Sequence, residues 1–128
     1  MTIDKFIKIA ILFIISAVAL GALGAHTLKD VLTENEIHSF EIGVRYQLFH
    51  GIGLLFLSLN SDKFDNKLKR SLMVMIIGVC CFSFSLYLLS IRNILELSLS
   101  CIGPFTPIGG ILLISSWIIL FFSIKKQG

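Results

Sequence analysis

Charge is what this chain has least of. Eleven Lys and Arg and eight Asp and Glu make up 15% of its 128 residues, against 55% hydrophobic residues and a mean hydropathy of +0.91. Soluble domains carry about 25% charged residues, so the solvent for most of this chain is lipid. A net charge of +3 with the basic residues dispersed excludes a nucleic-acid footprint. Catalytic patterns are missing as well: no Ser-His-Asp arrangement, phosphate loop, metal motif or carboxylate pair. The sequence therefore predicts no enzyme and no cofactor. Cysteine is scarce and wrongly spaced for metal or redox work, with Cys80 and Cys81 adjacent and Cys101 alone, and reads as small apolar packing.

Acidic residues are absent from every apolar stretch. The charge-free runs are Ile9 to Ala25, Tyr46 to Ser61, Ser71 to Ile91 and Leu97 to Ile124, and all eight carboxylates fall outside them. Proton-coupled carriers usually hold a carboxylate inside a span. A bilayer core needs roughly 20 apolar residues in a helix, and each run qualifies with a few flanking residues. The expectation is an all-α polytopic membrane protein, one domain over 1–128, with four transmembrane helices at about 6–26, 42–61, 71–91 and 106–124. Lys5 and Lys8 ahead of a run ending in ALGA imitate a secretory signal, but 17 residues is long for one, and the segment reads as the first span.

Four spans put both termini and the 62–70 loop on one side. That side holds Lys5, Lys8, Lys63, Lys67, Lys69, Arg70, Lys125 and Lys126, against Lys29, Arg45 and Arg92 on the other. Positive charge stays cytoplasmic, so both termini are expected inside, in a bacterial inner membrane.

Local signals refine the spans. Ala17, Gly21 and Ala25 recur every four residues with Gly24 beside them, a small-residue seam that lets a helix approach closely, either within the chain or between two copies. Thr33 and Glu36 have capping-box spacing, so the second helix begins before its apolar run, with Glu41 and Arg45 as an i,i+4 pair. Cys80, Ser83, Tyr87 and Ser90 share one helical face. Thr106 followed by Pro107 reads as an N-cap and first helical residue, leaving LSLSCIGPF as an irregular segment.

The polar residues His26, Arg45, Tyr46, Gln47, His50, Tyr87 and Thr106 then fall at one level, in the outer half of the membrane. Gly43, Tyr46, Gln47, His50 and Gly53 share a face of the second helix. Arg45, about 140° away from His50, suits a headgroup anchor, whereas His50 is expected to be buried. A neutral His50 bonded to Tyr87, Thr106 or a freed carbonyl locks helices together, and this structural role outweighs proton or ligand handling and ligation by His26 with His50. Tyr46 and Trp117 read as packing or belt residues.

GALGAHTLK, VRYQLFHGIGLL, SLYLL and TPIGGILL, in this order, resemble the YgdD/YwdK-type family of small inner-membrane proteins across essentially the whole chain. The resemblance implies four helices, cytoplasmic termini and no assigned function. Its motif positions fall on Gly21, Gly24, His26, Arg45, Tyr46, Gln47, His50, Tyr87, Thr106, Pro107, Gly109 and Gly110. The reading is a structural or accessory bundle that binds lipid, a partner membrane subunit or a second copy. The alternative is a small transporter or proton pathway through the His50 cluster.

Overall fold

The computed structural model describes residues 1–126; Gln127 and Gly128, the last two residues of the expected 1–128 domain, lie outside the described residues. Helix α1 runs over Ile3–His26 and α2 over Glu34–Leu59. The third crossing is composite: α3 (Lys67–Val79), a π-helical turn over Cys80–Phe84, and α4 (Ser85–Ile91). Helix α5, Phe105–Phe121, makes the fourth crossing. Short 3-10 turns at Leu28–Asp30, Ser61–Lys63 and Ser100–Ile102 occupy the connections. Four segments are long and apolar enough to cross a membrane, and the fold is an all-α, four-span membrane bundle.

The start of α2 is set by its capping box. Thr33 Oγ1 accepts from the Glu36 N–H at 3.3 Å, and Glu36 Oε2 accepts from the Thr33 N–H at 2.9 Å, so two N–H groups with no partner inside the helix are satisfied. The start of α5 departs from expectation. Pro104, not Thr106, holds the N-cap position, and Phe105 is the first helical residue. Pro107 is tolerated two positions later than its preferred place because first-turn N–H groups lack helical acceptors anyway. Thr106 is freed from capping and bonds Ser85 instead.

The apolar core sits between the helices nearer the end carrying both termini, and includes Phe6, Ala10, Leu54, Leu72, Met75 and Leu113. Large apolar side chains also point outward, Phe49 and Phe121 being 66% and 70% exposed. Water would punish such a surface; lipid does not, and it also removes the hydrophobic drive between helices. Association falls to close packing and to polar groups. On α1, Ala17 is buried, a Cβ on Gly21 would lie 3.5 Å from Val44, and one on Gly24 would lie 3.1 Å from the Phe40 ring. The small-residue seam therefore faces α2 of the same chain. Ala25 is exposed and takes no part in it.

Gly109 and Gly110 behave differently from one another. A Cβ on Gly109 would run into the Phe82 backbone nitrogen, whereas one on Gly110 would rest 3.9 Å from the Phe82 ring. Gly109 thus seats the π turn directly against α5. The extra residue of a π turn also shifts the helical phase, so Ser85 turns inward alongside Ser83, Tyr87 and Ser90, while Cys80 is only half-buried.

The ends of the bundle are tied differently. At the terminal end the chain after α5 pairs with the α2–α3 connection: the Asp65 N–H donates to the Ser123 carbonyl at 2.8 Å and the Lys125 N–H to the Lys63 carbonyl at 3.1 Å. At the far end, Asn93 Nδ2 donates to Glu36 Oε1 at 2.7 Å.

Candidate functional site

Gln47 is the hub of the membrane interior. It stands about 18–20 Å from either end of α2 at 1.5 Å per residue and is fully buried. Its Nε2 donates to the Phe13 carbonyl at 3.0 Å and to Ser16 Oγ at 2.6 Å, both on α1. Its Oε1 accepts from the Tyr87 hydroxyl at 2.7 Å. One amide therefore joins α1, α2 and α4, with both of its ends engaged. Tyr87 lies over Gly43, where a Cβ would sit 2.7 Å from its ring, and Ser83 donates to the Gly43 carbonyl at 2.7 Å. Glycine at this position lets the tyrosine reach past the α2 backbone to the amide.

Two further hydroxyl contacts join the third crossing to α5, one from α3 and one from α4. Ser71 donates to the Ser116 carbonyl at 2.7 Å, and Ser85 meets Thr106 at 2.6 Å between oxygens. Among the described residues, every buried side-chain nitrogen and oxygen has a partner. An unpaired polar group in hydrocarbon costs several kcal/mol, so this saturation is what lets so polar a core exist there.

His50 lies outside this hub. It is half-buried, one turn nearer the terminal end than Tyr46, and its partners are neither Tyr87 nor Thr106. The Tyr46 carbonyl lies 2.8 Å from His50 Nδ1, and Trp117 Nε1 donates to His50 Nε2 at 3.1 Å. A carbonyl can only accept and an indole N–H can only donate. Nδ1 therefore carries the proton, Nε2 offers its lone pair, and the ring is neutral. The residue expected to be buried at the centre is on the flank, and Gln47 occupies the centre. The sequence could not rank them, because α2 is packed by α1 on one side and by α4 and α5 on others, so several of its faces are internal.

The remaining expected residues divide by position. Tyr46 packs on Phe82 with ring centroids 4.5 Å apart and is 41% exposed. Arg45 is exposed and shares a cleft of about 390 Å³ with Glu41, Gly21 and Gly24. Among the described residues the one ion pair is Lys67 with Asp65, not Arg45 with Glu41. His26 is exposed at the last turn of α1. The packing of Gly24 on Phe40 and of Gly51 on Phe13 and Ile14 sets the α1–α2 register. His26 then lies level with about residue 38, roughly 18 Å along the axis from His50. The expected single level of seven polar residues is thus corrected to a central Gln47–Tyr87 hub, a flanking His50–Trp117 pair, Thr106 bonded to Ser85, and three exposed residues, His26, Arg45 and Tyr46. The register also separates His26 and His50 too far to ligate one metal or haem. Sequence reasoning missed Ser16, Ser71, Ser85 and Ser116 and gave Trp117 only a packing or belt role. A serine within a span is too common and too mildly polar to stand out.

Fold and interior together define a class: a small polytopic membrane protein whose four spans are joined by an internal amide–hydroxyl network. The chain belongs to the family described as protein of unknown function DUF423, whose model matches residues 20–110. Relatives named UPF0382 membrane protein occur in Staphylococcus haemolyticus, at 34% identity over 94% of this chain and 95% of the relative, and in Haemophilus influenzae, at 35% over 97% and 96%. The Bacillus subtilis relative, UPF0382 membrane protein YwdK, is 32% identical over 94% of this chain and 96% of its own length. No solved structure matches the chain.

Proposed function

We propose that this protein is a structural or accessory bundle of a bacterial plasma membrane, the inner membrane where there are two, binding lipid, a partner subunit or a second copy and carrying no catalytic activity. Saturation of the interior supports this reading. The central amide, the hydroxyls around it and Nε2 of His50 are committed to holding helices together, and Nδ1 of His50 is held by the Tyr46 carbonyl of its own helix, so among the described residues every buried polar side-chain atom is already engaged. A proton pathway through His50 has less support, since the Tyr46 carbonyl and Trp117 indole would both have to be released first.

Orientation follows from charge. The terminal end carries eight cations against Asp4, Asp62 and Asp65, a net of +5, and the far end carries Lys29, Arg45 and Arg92 against five carboxylates, a net of −2. This polarity favours cytoplasmic termini, as would be read by a C-terminal fusion that fluoresces only in the cytoplasm. Native mass spectrometry of protein extracted gently from its own membrane tests the accessory role. Retained lipid or a second subunit is the expected result. A bare 14.2 kDa monomer, with proton flux into proteoliposomes abolished by His50→Ala, would overturn it in favour of transport.

A further inference from the structure

We infer that the cleft at the terminal end of the bundle is a binding site for the phosphate-bearing headgroup of an anionic phospholipid. The cleft encloses about 570 Å³ and draws on every part of that end: Ile3 of α1, Phe64 and Asp65 of the α2–α3 connection, Leu68 and Lys69 of α3, and Lys125 after α5. Its level in the bilayer is given by its walls. It opens where the charge-free run that carries the inner part of α2 stops, at Ser61, and just before that of α3 begins at Ser71, which is the depth of headgroups.

The lining is two-sided in chemistry. Ile3, Phe64 and Leu68 supply apolar wall suited to glycerol and the first methylenes, and Lys69 and Lys125 supply ammonium groups. The one carboxylate in the wall is already spent. Asp65 Oδ1 accepts from the Lys67 N–H at 2.8 Å and Oδ2 lies 3.6 Å from Lys67 Nζ. Among the described residues, Lys125 Nζ donates to the Asp62 carbonyl alone, at 2.9 Å, and pairs with no carboxylate, and Lys69 is exposed. The cleft thus presents two cations over an apolar wall, within an end whose net charge is +5. Basic pockets between spans at the cytoplasmic face recognise anionic headgroups in this way. A free phosphate would satisfy the ammonium groups and leave the apolar wall unused. The backbone pairing of Asp65 with Ser123 and of Lys63 with Lys125 holds the walls in place, so the site is formed before the lipid arrives.

The inference deepens the accessory reading by naming the lipid class, and its test does not depend on orientation or on partner subunits. The full chain in nanodiscs of phosphatidylcholine is titrated with phosphatidylglycerol, and retained lipid is counted by native mass spectrometry. At about 1 kcal/mol per surface lysine each charge is worth about fivefold, so Lys69→Gln with Lys125→Gln lowers the affinity about 25-fold. Lys69→Arg with Lys125→Arg keeps most of it. Lys5→Gln with Lys8→Gln, which removes the same charge from exposed positions of α1 at the same end, leaves it within about twofold. Equal losses from both glutamine pairs would mean diffuse attraction without a site, and no loss from either would mean the cleft is idle; both overturn the inference. Displacement of the lipid by millimolar inorganic phosphate would overturn the lipid assignment in favour of a free anion. Intact lipid binding in a protein that copurifies with no subunit would sink partner recruitment alone.

Discussion

Replacing Gln47 by leucine tests whether the bundle is held from its centre. The substitution nearly conserves volume and removes three hydrogen bonds, two to α1 at 3.0 and 2.6 Å and one from Tyr87 at 2.7 Å. Interhelical bonds in a bilayer average about 0.6 kcal/mol, with observed values up to about 1.7, so three of them come to about 2 kcal/mol. Ser16 keeps the Leu12 carbonyl at 2.7 Å, but the buried Tyr87 hydroxyl loses its acceptor. That adds at least about 1 kcal/mol, bringing the expected loss to about 3 kcal/mol. Tyr87→Phe alone strands the Gln47 carbonyl in the same way. The double variant strands nothing and loses the shared bond only once, so its destabilisation falls short of the sum of the singles by about 2–3 kcal/mol. The assay is reversible SDS unfolding from bicelles on all four proteins. Effects that add within about 0.3–0.5 kcal/mol, the range for independent sites, would refute a coupled hub, and so would a Gln47→Leu protein as stable as the parent.

Three other perturbations separate features that look alike in the sequence. Gly109→Ala forces a methyl group into the Phe82 backbone and costs several kcal/mol, as overpacking against main chain does, whereas Gly110→Ala meets an ordinary contact at 3.9 Å and stays within about 1 kcal/mol; the same SDS unfolding compares them. Trp117 is the one tryptophan in the chain, so His50→Phe, which removes the acceptor 3.1 Å from its indole N–H, shifts tryptophan emission to shorter wavelength, and an unchanged spectrum counts against the pair. Thr33→Ala removes one half of the capping box and lowers local stability by about 1 kcal/mol, seen as about fivefold faster hydrogen exchange at the amides of the first turn of α2 with α1 unaffected.

How much of this was legible beforehand depends on the range over which each signal acts. Hydropathy sums over 20 neighbouring residues, so the four crossings could be read from composition along the chain. The capping box spans four residues, and Thr33 with Glu36 announced the start of α2 well before its apolar run. The glycines of α1 suggested a seam because close approach needs small side chains whatever the partner. Rotation about a helix axis is another matter. Gln47 and His50 are three residues apart and comparably polar, and which one reaches the centre depends on where α1, α4 and α5 stand around α2. The π turn at Cys80–Phe84 is invisible locally for the same reason: Gly109 of a helix far along the chain presses on it.

The sequence by itself determined that this chain lives in lipid, crosses it four times, and gathers its positive charge at the end bearing its termini, because transfer into hydrocarbon is decided residue by residue. Only the tertiary structure decided that Gln47 holds the centre, that His50 answers to Trp117, and that Lys69 and Lys125 meet across a cleft. Those outcomes depend on distances between side chains up to 67 positions apart, and a hydrogen bond or an anion site exists only once packing has brought both halves within reach.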